Sequence, residues 1–169
     1  ESHSTEALTL LGDAHRQISE LLRAMPSARA PEVARLGLLG ALRQTLEDDL
    51  GHAFDSVAWQ IEPEAEAQAK LIPSLNAEVV FYAAREVIRN AARYGRHDSE
   101  IALHLTITAT WREGLSISIE DDGAGVSTTA STSGSGQGLA LHSTLLAVVG
   151  GTLAVESEPG RYTRVVIHA

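Results

Sequence analysis

Leu115-Ser116-Ile117-Ser118-Ile119-Glu120-Asp121-Asp122-Gly123-Ala124-Gly125 is the stretch that decides the fold. Leu115, Ile117 and Ile119 alternate with serines, the period of a strand with one apolar and one wet face. Upstream, Ile101, Leu103, Leu105 and Ile107 alternate in the same way, and a tight turn around Arg112-Glu113-Gly114 joins the two runs as an antiparallel hairpin. A hairpin in the middle of the chain excludes the strict βαβ alternation of a doubly wound sheet.

Working outward, Leu75 to Tyr94 reads as a long helix, with Pro73 and Ser74 as start signals and Gly95 as a stop. Before it lie a short strand, Val57 to Ile61, and an acidic, alanine-rich stretch from Glu62 to Lys70 that is expected to be a solvated loop. After the hairpin, residues 126–136 are almost wholly Ser, Thr, Ala and Gly, a composition that cannot bury apolar surface and implies a mobile segment. A helix from Gly138 to Val149 follows, ending at Gly150-Gly151. Two strands, Thr152 to Glu156 and Thr163 to His168, close the chain through Pro159-Gly160. The expected fold is an α/β sandwich: a mixed, largely antiparallel sheet with helices on one face.

An N-terminal helical extension precedes this sandwich. Ala7, Leu11, Ala14, Ile18, Leu21 and Met25 alternate four and three apart, and Pro26 and Pro31 end the run. That spacing fits a helix that pairs with another helix or one lying on its own core, and both readings stay open. A second helix is expected from Pro31 to Leu50, with Gly51 past its end. The chain opens at Glu1, not methionine, on residues that read as mid-helix, so the expectation is a piece of something longer.

Composition narrows the classes. With 169 residues and 44% hydrophobic content, one domain with a real core is the default. The absence of cysteine excludes thiol catalysis, thiolate zinc and disulfides, and suits the cytoplasm. No run reaches the roughly 18 apolar residues of a membrane span. No membrane contact by this piece is expected, the attachment of the longer protein being left open. A net charge of −9 argues against nucleic acid as a partner, so any phosphate ligand must be held by local amides and a few cations.

Three constellations carry chemistry. Glu86, Asn90, Arg93 and Tyr94 fall within two turns of the long helix, so carboxylate, amide and cation share a face. A carboxamide oxygen suits Mg²⁺, a carboxylate can take or orient a proton, and a guanidinium can meet phosphate. Taken alone, such a cluster is more often a solvated face. Asp121-Asp122-Gly123-Ala124-Gly125 places a carboxylate at a strand end, where it can accept from an exocyclic amine, beside glycines that admit close approach. Its bland reading is an acidic turn. Gly134-Ser135-Gly136-Gln137-Gly138-Leu139 opens a helix, a natural phosphate site, but follows no strand and lacks the Lys-Ser/Thr of a P-loop. By itself it could be a linker.

Order and context make the three specific together, and here the sequence resembles the GHKL ATPase superfamily. Glu86-Val87-Ile88-Arg89-Asn90-Ala91-Ala92-Arg93-Tyr94 is similar to its N box, Asp121 to Gly125 to its first glycine box, and Gly134 to Leu139 to its second. The ending Gly150-Gly151-Thr152-Leu153 through Pro159-Gly160-Arg161-Tyr162-Thr163 is similar to the close of histidine-kinase catalytic domains. The resemblance covers about Val57 to His168 and implies the Bergerat fold, with ATP and Mg²⁺ as cofactors. By motif, Asn90 would bind Mg²⁺ and Arg93 and Tyr94 would contact the nucleotide. Asp121 would read the adenine amine, Gly123 and Gly125 would shape the base pocket, and Gly136 and Gly138 would approach the phosphates. Val126, Gln137 and Leu139 would flank the nucleotide, Thr163 would support Asp121, and Glu86 would assist phosphoryl transfer. Tyr162 departs from the pattern, standing where many relatives have glycine, and the stretch between the glycine boxes is short.

The resemblance further implies a division into a helical stub of the dimerisation region with its connecting helix, residues 1–50, and an ATP-binding catalytic domain, residues 51–169, with a lid over about 126–137. The stub resembles kinases that serve LuxR-type response regulators. Partners implied are ATP and ADP, the dimerisation helices of a homodimer and a response-regulator receiver domain. His3, His15 and His52 lack the following acidic residue of an acceptor histidine. His97-Asp98 has it but falls in a loop, so the acceptor is expected upstream and the piece alone is not expected to phosphorylate itself. A serine kinase that inhibits a sigma factor and a nucleotide-binding adaptor without phosphotransfer are the rival readings. The helical stub disfavours the first and the intact Glu86 the second.

Overall fold

The computed structural model of the chain describes residues 30–125 and 135–169. The heptad run Glu6 to Met25 and the segment 126–134, with Val126 and Gly134, lie outside them. In order, the elements are α1 (Pro31–Thr45), β1 (Ser56–Ile61), α2 (Pro63–Ala69), α3 (Ser74–Tyr94), β2 (His104–Trp111), β3 (Leu115–Asp121), α4 (Ser135–Val148), β4 (Thr152–Glu158) and β5 (Tyr162–His168). The strands form one sheet in the order β1-β2-β3-β5-β4, with β1 parallel to β2 and every other pair antiparallel.

Register explains which face the helices cover. Ile107 pairs with Ile119 and Ala109 with Ile117, and these pair onward with Val165 and Ile167. All six are buried, whereas the intervening Thr106, Thr108, Ser116 and Ser118 are only half-buried. The serine-isoleucine alternation therefore builds a sheet with one packed face, and α2, α3 and α4 lie against it. In α3, Ala77, Val80, Ala84, Ile88 and Ala91 recur at helical spacing and are buried, the stripe that seats this helix. Its C-terminal end is Gly95, whose N–H donates to Ala91 O at 2.8 Å.

Three sequence expectations change. The stretch from Glu62 is not an open loop: Pro63–Ala69 is helical, with proline in the first turn, Glu64 and Glu66 beside the positive helix end, and Ala65 and Ala69 buried four apart. The helix expected from Pro31 to Leu50 is broken at Gly37, where φ 71 and ψ 173 are open to glycine. Beyond Thr45 it widens into a turn, Leu46–Leu50, closed by Gly51 N donating to Leu46 O. Ile101 is not in the hairpin strand, which starts at His104, and its side chain is exposed. His97 and Asp98 are exposed in the connection before that strand.

That connection is tied down by one carboxylate. Asp55 Oδ2 accepts from Arg96 at 2.6 Å and from the Leu103 N–H at 2.8 Å, while Arg96 also donates to the carbonyls of Ile101 and Ala53. From Glu32 to Ala169 the chain is one compact unit. Among the described residues no helix is long and apolar enough to cross a membrane.

Candidate functional site

Asp121 is the one buried charged residue among those described, at 5% exposure. The two-residue period of β3 puts it on the helix-covered face, in register with Leu105 on one side and Thr163 on the other. Burial pushes its carboxyl up, the Gly123 N–H pulls it down, and the neighbouring Asp122 and Glu120 push it up again. Gly123 N donates to Asp121 Oδ1 at 3.1 Å, which leaves lone pairs on the carboxylate for another donor.

The glycine turn after Asp121 is held from both sides. Ala124 N donates to Gly95 O at 2.7 Å, and Gly160 N donates to Ala124 O at 2.6 Å. A Cβ on Gly123 would lie 2.3 Å from Gly95 O, and one on Gly125, whose φ is +65, would lie 2.3 Å from Glu158 O. These glycines are thus required by backbone packing, apart from any ligand. Gly95 was legible in the sequence only as a helix stop. In the fold it joins the end of α3, and so Arg93 and Tyr94, to the Asp121 turn. Tyr94 is 46% exposed, and the Arg93 guanidinium lies 5.2 Å from its ring centroid.

Tyr162 does not intrude on this turn. It pairs with Glu158, donates its hydroxyl to Glu156 at 2.7 Å and lies under the Arg164 guanidinium. Arg164 in turn bonds Glu120, so this network occupies the sheet face opposite Asp121. Thr163, next in sequence, is left on the Asp121 side and sits 3.2 Å from the Ser157 hydroxyl.

The second cluster lies where α3 meets α4. A Cβ on Gly138 would come 2.8 Å from Glu86 Oε1, so the absence of a side chain there lets α4 close on the carboxylate. Glu86, 13% exposed, is ion-paired with Arg89, a partner the sequence reading passed over although the i,i+3 spacing was available. Asn90, one turn beyond Glu86, has a buried Nδ2 with no partner. The α4 helix begins at Ser135, not Gly138, so Gly136, Gln137 and Gly138 all fall in its first turn and Leu139 follows, half-buried. The fold therefore unites Glu86 with Gly138, and Arg93 and Tyr94 with the Asp121 turn, at the two ends of the α3 face.

Magnesium fits the donor set in one way. No group of three or more acidic or histidine side chains able to hold a metal occurs among the described residues. The described residues thus offer no protein-only cage. The Asn90 carboxamide, whose oxygen and nitrogen exchange by rotation about the last torsion, can present a neutral oxygen to an ion that keeps waters and shares phosphate oxygens.

The architecture is that of the Bergerat α/β sandwich, a class of ATP-binding domain. Residues 76–169 match the family model for the histidine kinase-, DNA gyrase B- and HSP90-like ATPases, and the chain belongs to that family. Among curated proteins none matches. Solved structures do. The histidine kinase domain of the blue-light activated histidine kinase of Erythrobacter litoralis EL346 superposes with a TM-score of 0.60 at 21% identity, over 76% of this chain and 58% of that one. Acinetobacter baumannii histidine kinase AdeS gives a TM-score of 0.55 at 17% identity, over 97% and 78%. Full-length ShkA in complex with AMPPNP gives 0.53 at 24%, over 79% and 29%. At these identities the likeness is one of fold, and the chain spans little more than half of the first structure.

Proposed function

We propose that this chain is the ATP-binding catalytic part of a two-component sensor histidine kinase. It would transfer the γ-phosphoryl of Mg·ATP to a histidine on a dimerisation helix, from which a response-regulator aspartate receives it. Residues 1–50 are assigned to the dimerisation stub and connecting helix, and the regulator to the LuxR type. The observation that carries this reading is Asp121: a buried carboxylate with lone pairs to spare, at a strand end whose glycine turn is fixed to the end of α3.

In this reading the adenine amine donates to Asp121, with Thr163 beside it, and Gly123 and Gly125 keep the pocket floor free of side chains. Tyr94 and Arg93 meet the nucleotide at the end of α3. The backbone amides of Gly136, Gln137 and Gly138, all in the first turn of α4, face phosphate as helix N-termini do. Val126 and Leu139 flank it. A bound Mg²⁺, held by Asn90 and the phosphates, supplies charge neutralisation. Glu86 orients the attacking histidine or takes its proton once released from Arg89.

Mg²⁺-dependent ATP and ADP binding, measured by calorimetry on this chain, tests the reading, with Asn90→Ala and Asp121→Asn as controls. Binding that both changes weaken is expected, and no binding by the unaltered chain overturns it. Glu86→Gln should spare nucleotide affinity and slow phosphohistidine formation, assayed with the dimerisation segment supplied, by roughly 10²–10⁴-fold. Undiminished transfer would remove Glu86 from the chemistry.

A further inference from the structure

Among the described residues, two buried side-chain atoms lack a hydrogen-bond partner: Asn90 Nδ2 and His142 Nδ1. The first belongs to the Mg·ATP site proposed above; the second has no part in it. His142 lies on α4 one turn beyond Gly138, hence on the same face. Two anchors fix what that face meets. Gly138 closes on Glu86, and Asn76 Nδ2 donates to Val149 O at 3.3 Å, so α3 and α4 run antiparallel side by side. His142 therefore sits in the seam beside the turn of α3 that carries Glu86. Burial holds its imidazole below the usual range, the Glu86 carboxylate opposes that and Arg89 reinforces it; among the described residues no other charged group bears on it.

Glu86 now has a partner, but an exposed one. The Arg89 side chain is 64% exposed and the Glu86 side chain 13%. Arg89 is next to Asn90 on the face assigned to phosphate, and a polyphosphate competes strongly for a guanidinium. A nearly buried carboxylate that loses its cation must find another donor. We propose that His142 is that donor: a positioning residue that takes the Glu86 carboxylate when nucleotide draws Arg89 away. This rests on the nucleotide-site reading above.

Imidazole ring NMR at pH 7 on the ¹⁵N-labelled chain tests it, the His142 signals being those lost in His142→Asn. Arg89→Gln, at an exposed position, removes the cation without nucleotide. The His142 ring signals should shift, and Glu86→Gln in the same chain should return them. Saturation with Mg·AMPPNP, verified by calorimetry on the same sample, should produce the same shift in the unaltered chain and none in Glu86→Gln. A ring indifferent to Arg89→Gln overturns the proposal, as does bound AMPPNP with an unmoved ring. If AMPPNP gives no heat, the nucleotide reading has failed and the exchange falls with it.

Discussion

In the proposed nucleotide site, Asp121 would set stability against function at a single carboxylate. Its folded-state pKa is raised, chiefly by burial, so its stabilising contribution is complete below the unfolded value of about 3.9 and is lost as pH rises through the folded value. At neutral pH the ionised group thus destabilises the empty domain. Asp121→Asn should raise the thermal midpoint at pH 7, and this gain should shrink toward pH 3.5, as followed by calorimetric melting. The same change should weaken ATP by roughly 10- to 100-fold, the loss of a charged hydrogen bond worth about 1.5–3 kcal/mol. A variant that is both less stable at pH 7 and unaltered in affinity would mean that Asp121 is a structural residue.

Between elements, the site depends on joints. Gly125 and Gly160 are both at positive φ, but only Gly125 is hemmed in, by Glu158 O. Gly160→Ala should cost about 1–2 kcal/mol of conformational strain, and Gly125→Ala distinctly more, as measured by denaturant unfolding. Equal costs would show that the turn yields freely. The connection after α3 depends on Asp55, whose carboxyl is held down by the Leu103 N–H first and by Arg96 second. A depressed pKa gives stability above the unfolded value, about 3.9, that is lost as pH falls through the folded one. Asp55→Asn should therefore lower the denaturant midpoint at pH 6, with the gap from the unaltered chain narrowing toward pH 3. These joints also mark where sequence reading stops. The β-period of Leu115 to Ile119 and the stripe of α3 are written in local spacing, and so were legible. The ties from Gly95 to Ala124, from Gly160 to Ala124 and from Asp55 to Leu103 join residues far apart in sequence, which no local pattern records. Helix α2 was missed because its alanines and glutamates suit a solvated loop as well as a helix, and burial of Ala65 and Ala69 against the sheet decided it. Motif order singles out Glu86, Asn90 and Asp121 in the sequence, and the fold shows the burial of Asp121 and the closeness of Glu86 to Gly138. The Arg89 pair with Glu86 was within local reach at i,i+3 but competes with every other charge spacing on an exposed helix face, and His142 was not legible, since what matters about it is its burial against α3.

At the scale of the whole molecule, a chain of net charge −9 must bind a polyanion. Its mean field opposes the approach of ATP, and in the proposed site the attraction would reside in short contacts: the amides at the start of α4 and the guanidiniums of Arg89 and Arg93. Salt screens interactions beyond the Debye length of about 8 Å at physiological strength, and contacts at hydrogen-bond distance much less. Raising ionic strength at fixed free Mg²⁺ should therefore remove repulsion as fast as attraction. Calorimetry between about 50 and 300 mM salt should find ATP affinity flat or rising slightly, in contrast to the steep fall of a binder that gathers anions with a basic surface. A loss of tenfold or more would mean that an extended cationic patch recruits the nucleotide.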